Sequence, residues 1–199
     1  MIIENGGGAP QAWAKVDTNN RLHVLSVSEG FNIEAALLGD NFNINSGTVN
    51  LTSSNKSAVF HFRNNETKPF VIEAVLAIIG SSTGGSGDFE VEIIQNPTTG
   101  TIVDNALAAQ TVVNRNFGKT SSTLDADVYK GAEGYTATNG ELFADTTRTG
   151  AGVIEFDADV MVLPKGSSMG ICVTPQTGNT SMNVKIAVVG YLIDTEVTK

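Results

Sequence analysis

With 199 residues and a net charge of −9 from 12 basic and 21 acidic side chains, the chain suits one domain of sandwich or barrel size. The acidity excludes a protein whose main work is gripping nucleic acid, because phosphate neutralisation needs a basic surface, and it disfavours anionic membranes. A lone cysteine, Cys172, rules out an internal disulfide, and no run reaches the roughly 20 apolar residues that span a bilayer.

The first twelve residues, which include Gly6-Gly7-Gly8, carry neither the basic nor the apolar region of a signal peptide. They read as a flexible Gly-rich arm over residues 1–20, ahead of a single domain at 21–199. Trp13, the only tryptophan, sits at the edge of that arm and suits an anchor better than a ligand-stacking platform. Residues 21–28 alternate as a strand. Residues 29–45 are ambiguous, with a centre, Asn-Ile-Glu-Ala-Ala-Leu-Leu, that allows a helical turn but is bounded by Gly30 and Gly39.

A short strand at 47–52 leads into the hairpin that organises the chain. Its first arm, 57–63, puts Ala58, Phe60 and Phe62 opposite His61 and Arg63. The turn 64–69 ends at Pro69, where a missing N–H is tolerated. The second arm, 70–79, is apolar on both faces, with Phe70, Ile72, Ala74, Leu76 and Ile78 on one and Glu73, Val75, Ala77 and Ile79 on the other, so something must cover each side.

Residues 80–87 read as a flexible Gly-Ser loop and 88–95 as a cleanly alternating strand. From 96 to 150 the pattern is weak, and a long irregular insertion of this kind usually carries function or partner contacts. Strands return at 153–163, 169–174 and 183–193. About eight strands with almost no helix indicate an all-β, antiparallel two-sheet sandwich.

The last strand repeats the excess of apolar surface: Val184, Ile186, Val188 and Leu192 form one face, and Ala187, Val189, Tyr191 and Ile193 the other. Together with Val75, Ala77 and Ile79 this exceeds what a monomer usually leaves in water, so these seven residues are the expected interface with further copies of the chain.

The chemistry-bearing groupings are sparse. The Gly84–Gly87 run lacks the Lys-Ser/Thr ending and the helix start of a phosphate cradle. Glu155, Asp157 and Asp159 share one strand face at about 7 Å spacing, as a solvated row does, and no metal site is expected there. His23 and His61 have no Cys or His at ligand spacing. No Gly-x-Ser-x-Gly elbow occurs, so no catalytic residue, cofactor or enzymatic activity is expected. The sequons at Asn50, Asn55, Asn65 and Asn179 read as turn formers. Tyr129 and Tyr135, in the weakly patterned segment, are the candidates for contact with a ligand such as a glycan.

The stretch 162–175, Val-Leu-Pro-Lys-Gly-Ser-Ser-Met-Gly-Ile-Cys-Val-Thr-Pro, followed by 178–184, resembles the closing strands of jelly-roll virion proteins of tailed bacteriophages, including head decoration and head-fibre proteins. Residues 96–101 and 114–118 look similar as well, and with the hairpin the likeness spans roughly 58–193. The resemblance implies a jelly roll that forms a homotrimer, made in the host bacterial cytoplasm and placed on the capsid surface. Its partner would be the major capsid protein or another virion protein, with Gly6, Gly7, Gly8 and Trp13 in the docking arm. A carbohydrate-binding or receptor-binding sandwich, using Tyr129 and Tyr135, is the alternative.

Overall fold

The computed structural model describes residues 15–16, 22–23, 31–85, 87–104, 110, 112–118 and 123–193, and of 15–16, 22–23, 31, 32, 34 and 157–160 the backbone only. By its contacts the chain divides into residues 1–30 and 31–199. In the first unit β1 (Lys15–Val16) pairs antiparallel with β2 (Leu22–His23).

The second unit begins with α1 (Phe31–Leu38), which resolves the ambiguous stretch as a helix of eight residues. It ends where the amide N–H groups of Gly39 and Asp40 donate to the Ala36 and Ala35 carbonyls, and it packs on β3 and β13 through the buried Ala35. The strands that follow are β3 (Asn41–Asn45), β4 (Val49–Leu51), β5 (Ser57–Asn64), β6 (Phe70–Ile79), β7 (Asp88–Gln95), β8 (Val112–Asn114) and β9 (Ala126–Lys130). Four more complete the chain: β10 (Glu141–Thr149), β11 (Gly152–Leu163), β12 (Ser168–Pro175) and β13 (Met182–Leu192).

They form two antiparallel sheets, β10-β7-β12-β5-β9 and β11-β6-β13-β3-β8, with β4 also paired to β13. The pairs β4·β13, β5·β12, β6·β11 and β7·β10 are nested one inside the next. That nesting describes one long antiparallel ribbon rolled up so that alternate pairs fall in opposite sheets, which is the jelly-roll sandwich. The core lies between the sheets. Phe60, Phe62, Phe89, Val91, Ile93 and Ile171 come from one, and Phe42, Ile44, Phe70, Ile72, Val184 and Val188 from the other. Phe62 meets Phe70 edge to face across the gap, with ring centroids 5.0 Å apart.

Three sequence expectations change. Strand β6 does not keep one alternation along its length: its register against β13 slips between Ala74 and Ile72, leaving Glu73 as a bulge. Phe70 and Ile72 therefore point inward before the bulge, and Val75, Ala77 and Ile79 point inward after it. These last three are covered by the chain's own opposite sheet, so on β6 the outward apolar residues are Ala74, Leu76 and Ile78 instead.

The 96–150 segment is not simply irregular. It supplies β8, β9 and the nine-residue edge strand β10, whose sequence Glu-Leu-Phe-Ala-Asp-Thr-Thr-Arg-Thr hides a strand because its inner face is covered only in part, at Ala144 and Thr146. The loop at 80–87 is tied down rather than slack: Thr83 bridges Ser181, and Gly84 and Gly85 hold positive φ values of 75° and 66° against the 177–180 backbone. Asn179 locks the same corner, donating to the Leu51 carbonyl at 3.0 Å and accepting from the Ser82 hydroxyl at 2.6 Å.

Candidate functional site

Two outer faces of the sandwich carry the residues singled out in the sequence. The first is the outside of β11-β6-β13. Register sets residues in rows across it: Lys185–Ile78–Val153, Ala187–Leu76–Glu155, Val189–Ala74–Asp157 and Tyr191–Val71–Val162. Ile78, Val153 and Val162 are 40%, 49% and 47% exposed. Leu76, Val71, Val189 and Tyr191 are half-buried, and Ala187 is buried. Polar residues enter the rows at Lys185, at Glu155 and, by register, at Asp157 opposite Ala74, so the apolar band is continuous across β6 and β13 and reaches β11 at Val153 and Val162.

Of the seven expected interface residues, Ala187, Val189 and Tyr191 lie on this band, and Ile193 follows β13 as a half-buried residue. Sequence reasoning missed Leu76, Ile78, Val153 and Val162. Alternation alone puts the first two on the wrong face because a bulge has no reliable residue signature, and in β11 the acidic row Glu155, Asp157 and Asp159 masks the apolar residues beside it.

The second face is the outside of β5 and β12, and the chain covers it itself. Loops 96–104 and 131–140 cross the sheet and bury a small second core of Ala58, Ile94, Ile102, Ala137 and Cys172, against which Val103, Tyr129 and Tyr135 pack. The loops are sewn to each other by paired threonines: the Thr138 amide donates to the Thr99 carbonyl at 2.7 Å, and the Thr99 and Thr138 hydroxyls are 2.8 Å apart. Glu133 fastens the second loop to the turn after β4, accepting from the Thr52 amide at 3.1 Å and hydroxyl at 2.5 Å. Hydrogen bonds from Ser53 and Thr52 hold its carboxyl below the usual range.

Tyr129 stacks on His61, with ring centroids 5.7 Å apart and planes at 14°. Burial, then the charge of Asp127, raises its phenol pKa. Both tyrosines are thus placed by packing, half-buried at the margin of the second core. His61 is 1% exposed, and neither ring nitrogen has a hydrogen-bond partner among the described residues.

Burial pushes the Cys172 thiol up to about 11, with Lys56 lowering and Glu92 raising it more weakly. A thiol of that kind is scarcely ionised near neutrality, and the thiolate is the reactive form. Cys172 should therefore resist a disulfide-exchange reagent at pH 8 in the folded chain and react at once in urea. Fast labelling of the native protein would show that the 96–104 and 131–140 loops do not close over it.

Among the described residues no three of His, Cys, Asp and Glu converge as metal ligands, and no helix is long and apolar enough to cross a membrane. Glu155 is exposed, and the side chains of Asp157 and Asp159 lie outside the described residues. So do Gly6, Gly7, Gly8 and Trp13, the expected docking arm, and the side chain of His23.

No protein-family model matches the chain, and neither does any curated protein sequence. Among solved structures, the chain is similar to one in the structure of tomato aspermy virus, at 13% identity and a TM-score of 0.35, covering 81% of this chain and 82% of that one. A chain of the Israeli acute paralysis virus particle is similar at 11% identity and a TM-score of 0.27, covering 98% and 82%. One from an expanded equine rhinitis A virus particle, described as a picornavirus capsid, stands at 11% identity and 0.20, covering 98% and 88%.

Proposed function

We propose that this chain is a non-enzymatic structural protein of a virus particle, an auxiliary protein on the outside of a bacteriophage capsid, built from homotrimers. The observation that supports it is the apolar band on the outside of β11-β6-β13, which a jelly roll standing alone would leave in water. A large contiguous apolar patch on a folded chain marks an interaction surface. Neighbouring copies are the proposed cover, with Leu76, Ile78, Val153, Val162, Val189 and Tyr191 at the contact. The other exposed face is closed by loops and needs no partner.

In this reading the arm at residues 1–20, with Gly6-Gly7-Gly8 and Trp13, joins the assembled protein to the capsid by ordering against a partner surface. The domain at 21–199 supplies the assembly, and no catalytic step is involved. Electron microscopy of purified particles with an antibody to the chain tests the proposal. Regularly repeated label on the shell supports it; particles that lack the chain altogether, or carry it only inside, refute it.

A further inference from the structure

A cleft of about 450 Å³ opens beside the second core, lined by His61 and Arg63 of β5, by Asn96, Pro97, Thr98, Val103 and Asp104 of the first covering loop, and by the turn from Lys165 to Ser168. We infer that this cleft is a binding site for a sugar acid, a hydroxylated ring bearing a carboxylate, held by Arg63, Lys165 and His61.

Three observations converge on that class of ligand. The first is His61 itself. A buried polar group without a partner costs about 1–3 kcal/mol, and His61 buries two such atoms at the wall of an open cleft. Burial pushes the imidazole down to about 4, against the raising charges of Asp127 and Asp104 and with the lowering charge of Arg63, so near neutrality the ring is uncharged. An uncharged imidazole offers one N–H donor and one acceptor nitrogen. Hydroxyl groups can either donate or accept and so suit both nitrogens, whereas a fully ionised anion can only accept.

The second is charge. In a chain of net charge −9, the cleft is lined by two cations, Arg63 and Lys165, and one carboxylate, Asp104, with Asp127 beside Arg63 in register on β9. The ion pairs formed among the described residues are Lys56–Glu92, Lys68–Asp40 and Arg115–Glu73, and neither Arg63 nor Lys165 belongs to one of them. Arg63 reaches over the turn, its Nη2 4.0 Å from where a Cβ on Gly166 would stand.

The third is the mixture. Asp104 lines the same cleft and would repel a phosphate or sulfate standing alone, whereas it accepts hydrogen bonds from ring hydroxyls whose acid group is turned toward Arg63 and Lys165. The volume falls in the range of small-molecule sites, about 300–1,000 Å³, and far exceeds one water. Tyr129, stacked behind His61, fixes the ring that reads the hydroxyl.

Calorimetric titration of the full chain with glucuronic acid and with N-acetylneuraminic acid tests the inference, with glucose and inorganic phosphate as controls. At least one acid should bind saturably, while glucose and phosphate give no comparable heat. Arg63→Gln and Lys165→Gln, both at exposed positions, should each weaken that acid about tenfold, as expected for a charge-assisted hydrogen bond. His61→Phe should weaken it further while keeping the ring stack. No saturable binding by either acid overturns the inference, as does acid binding unchanged in Arg63→Gln and Lys165→Gln. Phosphate binding as tightly as the acids would reduce the cleft to a general anion site and equally overturn it.

Discussion

Between pH 7 and pH 4 the folded chain should lose about 3 kcal/mol of stability through His61 alone. The imidazole titrates near 4 in the folded state, against the ordinary 6.5, because burial disfavours its charged form. Its folded pKa is lowered, so on acidification the unfolded chain takes up the proton first and stability falls. The loss begins near pH 6.5, grows toward pH 4, and levels off below that. A difference of about 2.5 units at 1.36 kcal/mol each sets the scale. Urea unfolding at both pH values, on wild type and on His61→Phe, isolates the effect, because carboxylates titrate alike in the two proteins. The variant should lose about 3 kcal/mol less than wild type over this range. Equal losses would mean that His61 can protonate without leaving its place beside Tyr129.

Gly131→Ala should be as damaging at any pH. Gly131 lies where the chain leaves β9 for the covering loop, and its amide donates to the Val59 carbonyl at 2.9 Å. A Cβ there would collide with the Ala58 carbonyl and would stand 2.8 Å from the Val59 Cα, all of it backbone of strand β5, which is paired on both sides by β12 and β9. A side chain can turn away from such a contact; a strand fixed by neighbours on both sides cannot. Overpacking of a well-filled site costs about 1–3 kcal/mol, and this collision belongs at the top of that range or above it. The expected result is a lowered melting temperature together with exposure of Cys172 to thiol reagents, since the loop that seals the second core starts at this residue. A stable variant with a protected Cys172 would contradict the close approach of β9 to β5.

What was legible in the sequence follows from which faces are dry. Strands β5, β7, β12 and β13 show alternation or a long apolar run because one side of each is core, and the sandwich follows from them. Strand β10 was not legible, since an edge strand whose inner face is covered only in part has little period to display and owes its existence to pairing with β7. In β3 the Asn-Phe-Asn-Ile-Asn pattern does alternate, but asparagine reads as a turn former until Phe42 and Ile44 are seen in the core. The exchange of Val75, Ala77 and Ile79 for Ala74, Leu76 and Ile78 on the outer face has a single cause, the bulge at Glu73. One extra residue transfers everything beyond it to the other side of the sheet. The His61 cleft was invisible for another reason. Its members come from β5, from a loop that crosses the sheet about 35 residues later, and from the turn before β12, which only the rolled topology brings together.

Assembly through the apolar band of β11-β6-β13 is the central claim, and light scattering on the full chain tests it most directly. Burying Leu76, Ile78, Val153 and Val162 between copies contributes about 1.5–3 kcal/mol for each side chain fully covered, a gross gain that competes with the cost of association. The wild-type chain should scatter as a trimer, three times its mass of 20.8 kDa, and Leu76→Asp should scatter as a folded monomer, because a carboxylate in the middle of the band cannot be buried unpaired. A wild-type protein that scatters at 20.8 kDa across the micromolar range, or a Leu76→Asp protein that remains trimeric, would contradict the account.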